Sequence, residues 1–164
     1  MKKSILKKAT IMVIVLLVAI QFFKTKENIS TQVSENTITQ HYDVPENIQN
    51  ILKTSCYDCH SNNTAYPWYN NIQPVAWWLK HHVDEGKREI NFNEFASYAI
   101  RRQYKKLEEI AEQVKEDEMP LSSYTLIHTN AKLNAEQKTL LINWAEEVRK
   151  EIAGKYPADS LIKK

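Results

Sequence analysis

Apolar residues recur at helical spacing along most of this chain, and no segment alternates apolar and polar positions as a half-buried strand would. The first apolar run extends from Ala9 to Ile20, continues in Phe22 and Phe23, and is preceded by Lys2, Lys3, Lys7 and Lys8. Lys26 to Gln40 is rich in Asn, Ser, Thr, Gln and Glu, with Ile29, Val33 and Ile38 isolated in it. Asp43-Val44-Pro45-Glu46 then reads as a helix start, with an N-cap, a proline in the first turn and an acid three residues on. Ile48, Ile51, Leu52 and Ser55/Cys56 follow on one face.

A second helix is predicted over Pro74 to Glu85, stopped by Gly86, with Trp78, Leu79 and His82 sharing a face. A third should start with Asn91 as cap, Glu94 at the third helical position and Ile90 stapled onto Phe95. Ala99, Ile100, Leu107, Ile110, Ala111 and Val114 carry it to about Lys115, with a break near Arg102. The last helix should start at Asn134, carry Leu140, Leu141, Trp144, Val148 and Ile152, and stop at Gly154. The chain has two glycines, and both fall where a helix is expected to end in a left-handed residue. The pattern predicts an all-α fold: a small helical domain behind an N-terminal anchor helix.

The opening run is at the short end for a membrane span, which takes about 20 residues, and it also has the form of a signal-peptide apolar region. Val18-Ala19-Ile20-Gln21-Phe22-Phe23 lacks the small-x-small pattern of a cleavage site. The expectation is therefore an uncleaved signal anchor over residues 1–24, with the lysines snorkelling. Four lysines before the run against Lys24 and Lys26 after it put the N-terminus in the cytoplasm. The chain is then a single-pass protein of the inner membrane with its C-terminal part in the periplasm. Residues 25–40 read as a polar linker with little order, residues 41–154 as one domain and 155–164 as a tail. A net charge of +2, with no basic block outside the anchor, argues against nucleic acid as a partner.

The candidate chemistry centres on Cys56-Tyr57-Asp58-Cys59-His60, a single C-x-x-C-H. Two thiols three positions apart on one helical turn can each add to a vinyl group at a porphyrin edge. The next residue then brings an imidazole under the iron, which is the attachment signature of c-type haem. Two other readings remain at this point. A thiol redox pair would need a βαβ neighbourhood, and a structural zinc site would need two further ligands, for which only His81, His82 and His128 are available. The turn-rich stretch Ser61 to Asn71 carries Tyr66, Trp68 and Tyr69, aromatic rings that could line a haem edge or fill a small core.

Glu118-Met119-Pro120-Leu121 is the second candidate site. Apart from Met1 and Met12, Met119 is the remaining methionine, and a thioether is the neutral sixth ligand that raises a haem's potential. Pro120 holds the residue before it out of the α region. His82, on the face with Trp78, is the rival for the sixth position, and Met119 could instead plug a core gap.

From about Tyr42 to Glu147 the chain resembles a haem-binding domain family of bacterial membrane-tethered or secreted proteins, itself similar to cytochrome c. The resemblance rests on Ser55 to Asn62 around the motif, Tyr66-Pro67-Trp68-Tyr69, Ile72 to Leu79, His82 with Gly86, and Glu118 to Leu121 with Tyr124 and His128. Thr129 departs from the pattern, which has Pro after the histidine. The resemblance implies one covalent haem c through Cys56 and Cys59, with His60 as proximal ligand and Met119 distal. Tyr66 and Tyr124 are expected to bond the propionates.

The function expected is one-electron transfer with redox partner proteins of the bacterial envelope, by a carrier rather than an enzyme. A peroxidase-like haem reaction, a haem sensor and a structural subunit of an envelope complex are the alternatives.

Overall fold

In the computed structural model of the chain, which describes residues 2–162, the helices in order are α1 (Lys2–Ile20), α2 (Ile38–His41), α3 (Glu46–Ser55), α4 (Tyr57–His60), α5 (Val75–Glu89), α6 (Ile100–Lys115), α7 (Ser122–Thr125), α8 (Ala135–Lys155) and α9 (Ala158–Leu161). Single 3-10 turns cover Trp68–Asn71, Phe95–Ser97 and Thr129–Ala131, and there is no strand among the described residues. The all-α expectation holds. Met1 of the expected anchor and Lys163 and Lys164 of the expected tail lie outside the described residues.

The core forms where the stripes of α6, α8 and α3 meet. Leu107, Ala111 and Val114 face Leu141, Trp144, Ala145, Val148 and Ile152, and Ile48, Ile51 and Leu52 close the layer. Leu52, Leu107 and Leu141 are fully buried, each such side chain contributing about 1.5–3 kcal/mol. The Trp144 indole N–H donates to the Asp43 carbonyl at 3.0 Å, pinning α8 to the chain entering α3. The start of α8 follows the sequence. Asn134 accepts from the Gln137 N–H at 2.8 Å, and its own N–H donates to Gln137 Oε1 at 3.0 Å, a capping box.

Several expectations are corrected. The third helix starts at Ile100 rather than after Asn91. Ile90 and Phe92 turn into the core from irregular backbone and Phe95 from a 3-10 turn, and the Asn91 amide donates to Asn62 Oδ1 at 2.7 Å instead of capping a helix. Neither glycine ends a helix: α5 passes through Gly86 to Glu89 and α8 passes through Gly154 to Lys155, and no glycine has positive φ. The left-handed residue is Asp117, with φ 63°, at the end of α6. There Glu118 N–H donates to Gln113 O at 3.0 Å and Asp117 N–H to Val114 O at 3.4 Å, the two bonds of a Schellman motif.

The residues of the expected anchor form helix α1, but no helix among the described residues is long and apolar enough to cross a membrane, so the anchor expectation is not supported. Lys7 and Lys8 cut the uncharged part of α1 to the twelve residues Ala9–Ile20, ~18 Å at helical rise against a hydrocarbon core of ~30 Å. Nor is residues 25–40 a segment of little order. Asn28 donates its backbone N–H to Tyr66 Oη at 2.7 Å and its amide to Ser61 O and Thr64 Oγ1 at 3.0 Å, and accepts from Lys87 Nζ at 2.6 Å. Ala96 N–H donates to Asn36 O and Ile38 N–H to Phe92 O, both at 2.9 Å. Asn28, Ser34 and Asn36, which read as solvated linker, are bonded to the domain. In the expected tail, α9 buries Leu161 against the same core.

Candidate functional site

Helix α3 breaks at Cys56, and the chain re-enters a single turn, α4, in which His60 N–H donates to Cys56 O at 2.9 Å. This turn puts Cys56, Cys59 and His60 on the wall of one cavity of about 380 Å³. Helix α5 crosses directly over it. A Cβ at Gly86 would sit 2.7 Å from the Cys59 carbonyl oxygen and 3.0 Å from its Cβ, so only glycine allows the crossing at this distance.

The crossing orients the imidazole. His60 Nδ1 lies 2.9 Å from Gly86 O and 3.1 Å from Ile90 O. Both partners can only accept, so Nδ1 carries the proton and Nε2 keeps its lone pair, the arrangement by which a carbonyl sets a ligating histidine's tautomer. Burial lowers the His60 pKa below its usual value, against the opposing effect of the two carbonyls, and so favours the neutral ring that a metal needs. Phe92 stands edge-on to the ring, centroids 6.5 Å apart.

Burial drives the thiols the other way from reactive cysteines. Cys56 is pushed up to about 12 and Cys59 to about 11, mainly by burial, with the Asp58 carboxylate adding to the rise at Cys59. Thiol redox pairs need depressed values. Among the described residues no group of three or more His, Cys, Asp or Glu side chains is placed to hold a metal ion.

Met119 reaches the same cavity from the loop that the Schellman motif launches, with its N–H bound to Gln113 O at 3.1 Å. Val114, Pro120, Leu121 and Leu133 supply apolar wall around it. A second cavity, also about 380 Å³, shares Cys56, His60, Val114 and Met119 with the first and continues toward Ile90, Phe92, Ile110 and Leu141. Its lining includes Lys106, held between Glu89 at 2.7 Å and Glu109 at 2.6 Å. The open volume thus lies on both sides of the residues that carry donor atoms.

Tyr124 joins the cavity wall through the motif itself. Its hydroxyl donates to Asp58 Oδ2 at 2.7 Å, and Asp58 Oδ1 accepts from Ala65 N–H at 3.0 Å. Burial, then the Asp58 carboxylate, raises the Tyr124 pKa and keeps the phenol protonated. The Tyr124 ring stacks on His128 with centroids 4.4 Å apart, and His128 Nε2 lies 2.7 Å from Tyr69 Oη.

The structure brings together Cys56, Cys59, His60, His82, Met119 and Tyr124 around the first cavity. It does not bring Tyr66 or Trp78 there. The Tyr66 hydroxyl is taken by the Asn28 N–H on the other flank, and the Trp78 indole stands edge-on against His82, centroids 4.4 Å apart, outside the cavity wall. Sequence reasoning missed three contributors. Asp58 occupies a variable position of the motif and carries no signal of its own. Gly86 reads in the sequence as a helix stop, but it lies inside α5, where its missing side chain lets the helix cross against Cys59. Lys106 shows only in its spacing to Glu109 on α6.

No curated protein and no solved structure matches the chain. A family model described as a haem-binding domain matches residues 15–147. The match takes in α3 to α7, every wall of the cavity and the start of α8, and with it the chain belongs to the haem-binding domain family.

Proposed function

We propose that the haem is held covalently, by thioether bonds from Cys56 and Cys59, with His60 Nε2 and the Met119 sulfur as axial ligands, and that the domain transfers single electrons. The observation that carries this reading is the pair of carbonyls on His60 Nδ1, at 2.9 and 3.1 Å, which leaves Nε2 as the basic nitrogen on a cavity that both thiols and Met119 also line. The donor set fits a haem c: two protonated thiols one helical turn apart, a neutral imidazole, a thioether and apolar walls. Attachment is an addition of S–H across each vinyl group, sulfur to one carbon and hydrogen to the other, and consumes no oxidant.

When bound, haem supplies the one-electron couple of its iron. The part of His60 and Met119 would be to hold that iron in either oxidation state, so that little would move on transfer. Gly86 and Ile90 hold the His60 ring, and the backbone bond to Gln113 holds the Met119 loop. Asp58 and Tyr124 tie the motif to the loop after Met119. His82 lines the same cavity and is the rival sixth ligand.

The location we propose is the outer face of the cytoplasmic membrane. In support, Lys2, Lys3, Lys7 and Lys8 followed by the twelve residues Ala9–Ile20 have the charged start and the apolar length, about 7–15 residues, of an export signal. Redox partner proteins of the envelope are the partners this location implies.

The test is expression in a bacterial host with its haem c maturation system active, followed by a haem stain after denaturing electrophoresis. Stain retained by the wild type and lost in Cys56→Ala/Cys59→Ala is expected. Haem that leaves the wild type on denaturation would overturn covalent attachment.

A further inference from the structure

We propose that the face carrying Trp68, Trp77 and Trp78 seats the haem domain on the surface of a lipid bilayer, as a second membrane contact besides α1. Residues 61–79 contain no Asp, Glu, Lys or Arg in a chain that is 26% charged. Trp68 is 76% exposed, Trp78 48% and Trp77 38%, with Ile72 and Val75 exposed among them. Isolated exposed apolar residues are ordinary, but a grouped set marks an interaction surface.

What covers this surface follows from what is joined to it. The end of α1 is bonded to the same face. Gln21 Nε2 donates to Gln73 O at 3.1 Å, and Gln73 N–H donates to Gln21 Oε1 at 2.9 Å. The Phe23 carbonyl accepts from Gln73 Nε2 at 3.1 Å and from the Trp77 indole N–H at 2.9 Å. Helix α1 buries none of its residues against the protein, and its apolar run is exposed on every side. Such a segment partitions into lipid whether or not it reaches the far side, and it brings the bonded face to the same interface. Phe22 and Phe23, both exposed, continue the apolar surface from α1 onto the domain.

The chemistry of the face suits that depth. Tryptophan concentrates where hydrocarbon meets headgroups, because its ring is apolar and its N–H needs a partner. Lys24 and Lys26 follow directly and bring positive charge to headgroup level. The absence of charge from residues 61–79 means the seat needs no anionic lipid. The haem site then stands beside the membrane at a fixed orientation, with Tyr124 stacked on His128, His128 bonded to the Tyr69 hydroxyl and Tyr69 edge-on to Trp68 leading from its wall to the seated face.

This inference rests on the membrane location proposed above, and the experiment separates the two. The haem-loaded full chain is mixed with phosphatidylcholine vesicles and floated on a density gradient. Tryptophan emission is then compared between vesicles whose acyl chains are brominated near the headgroup and unbrominated ones. Trp144, 4% exposed in the core, serves as the internal reference. We expect the chain to float, the wild type to lose emission in brominated vesicles, and W68F/W77F/W78F, which keeps Trp144, to lose none while still floating. A chain that does not float defeats the location. A chain that floats with wild-type emission unquenched, or quenched no more than the triple variant, defeats the seat and leaves the face to a protein partner or a second copy.

Discussion

Gly86 and Cys59 are in backbone-to-backbone contact: a Cβ at position 86 would come within 2.7 Å of the Cys59 carbonyl oxygen. A carbonyl cannot rotate away as a side chain can, so Gly86→Ala must push α5 off the motif. Its helix-propensity gain of about 1 kcal/mol is outweighed by overpacking of about 1–3 kcal/mol. The shift also loosens the Gly86 carbonyl from His60 Nδ1. We expect Gly86→Ala to lower the urea midpoint and the yield of haem-loaded protein together. Gly154→Ala is the matched control. It also lies inside a helix, but a Cβ there meets nothing within 4 Å, so it should raise stability by about 0.5–1 kcal/mol.

Asp58 couples the motif to the far loop. Removing its carboxylate in Asp58→Ala strands the Tyr124 hydroxyl and the Ala65 N–H at once, and removing the hydroxyl in Tyr124→Phe strands one carboxylate oxygen. A hydrogen bond to a charged group contributes about 1.5–3 kcal/mol. The double-mutant cycle from denaturant unfolding should therefore return a coupling of about 1–2 kcal/mol. A coupling indistinguishable from zero would show that the 2.7 Å contact does no energetic work in solution.

These two pairs show what was legible in the sequence. The capping box of Asn134 and Gln137 is local, complete within four residues, and so could be read directly. Cys56, Cys59, His60 and Met119, which share one cavity wall, could be singled out in the sequence because the chemistry proposed for them is restricted to few residue types. The role of Gly86 was not, because a close crossing between α5 and α4 leaves no trace in either helix's own pattern. The role of Asn28 was hidden for the opposite reason. A polar residue among polar residues reads as solvated chain, and only the fold reveals that Ser61, Thr64, Tyr66 and Lys87 consume its hydrogen-bonding groups.

Lys106 sits with 13% side-chain exposure between Glu89 and Glu109. Burial pulls its pKa down, but the bonds to Glu109 and Glu89 more than offset this and leave it raised above 10.5. Its contribution is therefore fully present below that value and lost as pH rises through the folded one. For Glu109 burial raises and the bonds to Lys106 and Lys105 lower, leaving it below 4.5; that contribution is present above 4.5 and lost as pH falls through the folded value. The stability gap between wild type and Lys106→Met should be widest from about pH 5 to about pH 10 and close at both ends. Glu89 is mostly solvent-exposed, so the plateau is about 1 kcal/mol. Urea midpoints inside that window and beyond both its ends measure it, and a gap that does not narrow outside the window would mean that Lys106 contributes packing alone.

Met119 and His82 line one cavity, and the iron has one position left after His60. A thioether sixth ligand gives the ferric protein a weak long-wavelength sulfur-to-iron band and raises the reduction potential. In Met119→Ala that band should vanish, the potential should fall and the ferrous protein should bind carbon monoxide. His82→Ala should leave all three as in the wild type, because its imidazole is engaged edge-on by Trp78 and faces Glu85 at 4.0 Å. The reverse pattern, with His82→Ala opening the iron and Met119→Ala silent, would make this a bis-histidine haem of lower potential. Carbon monoxide binding by the wild type would instead mean an open site and turn the reading from electron carriage to small-molecule chemistry.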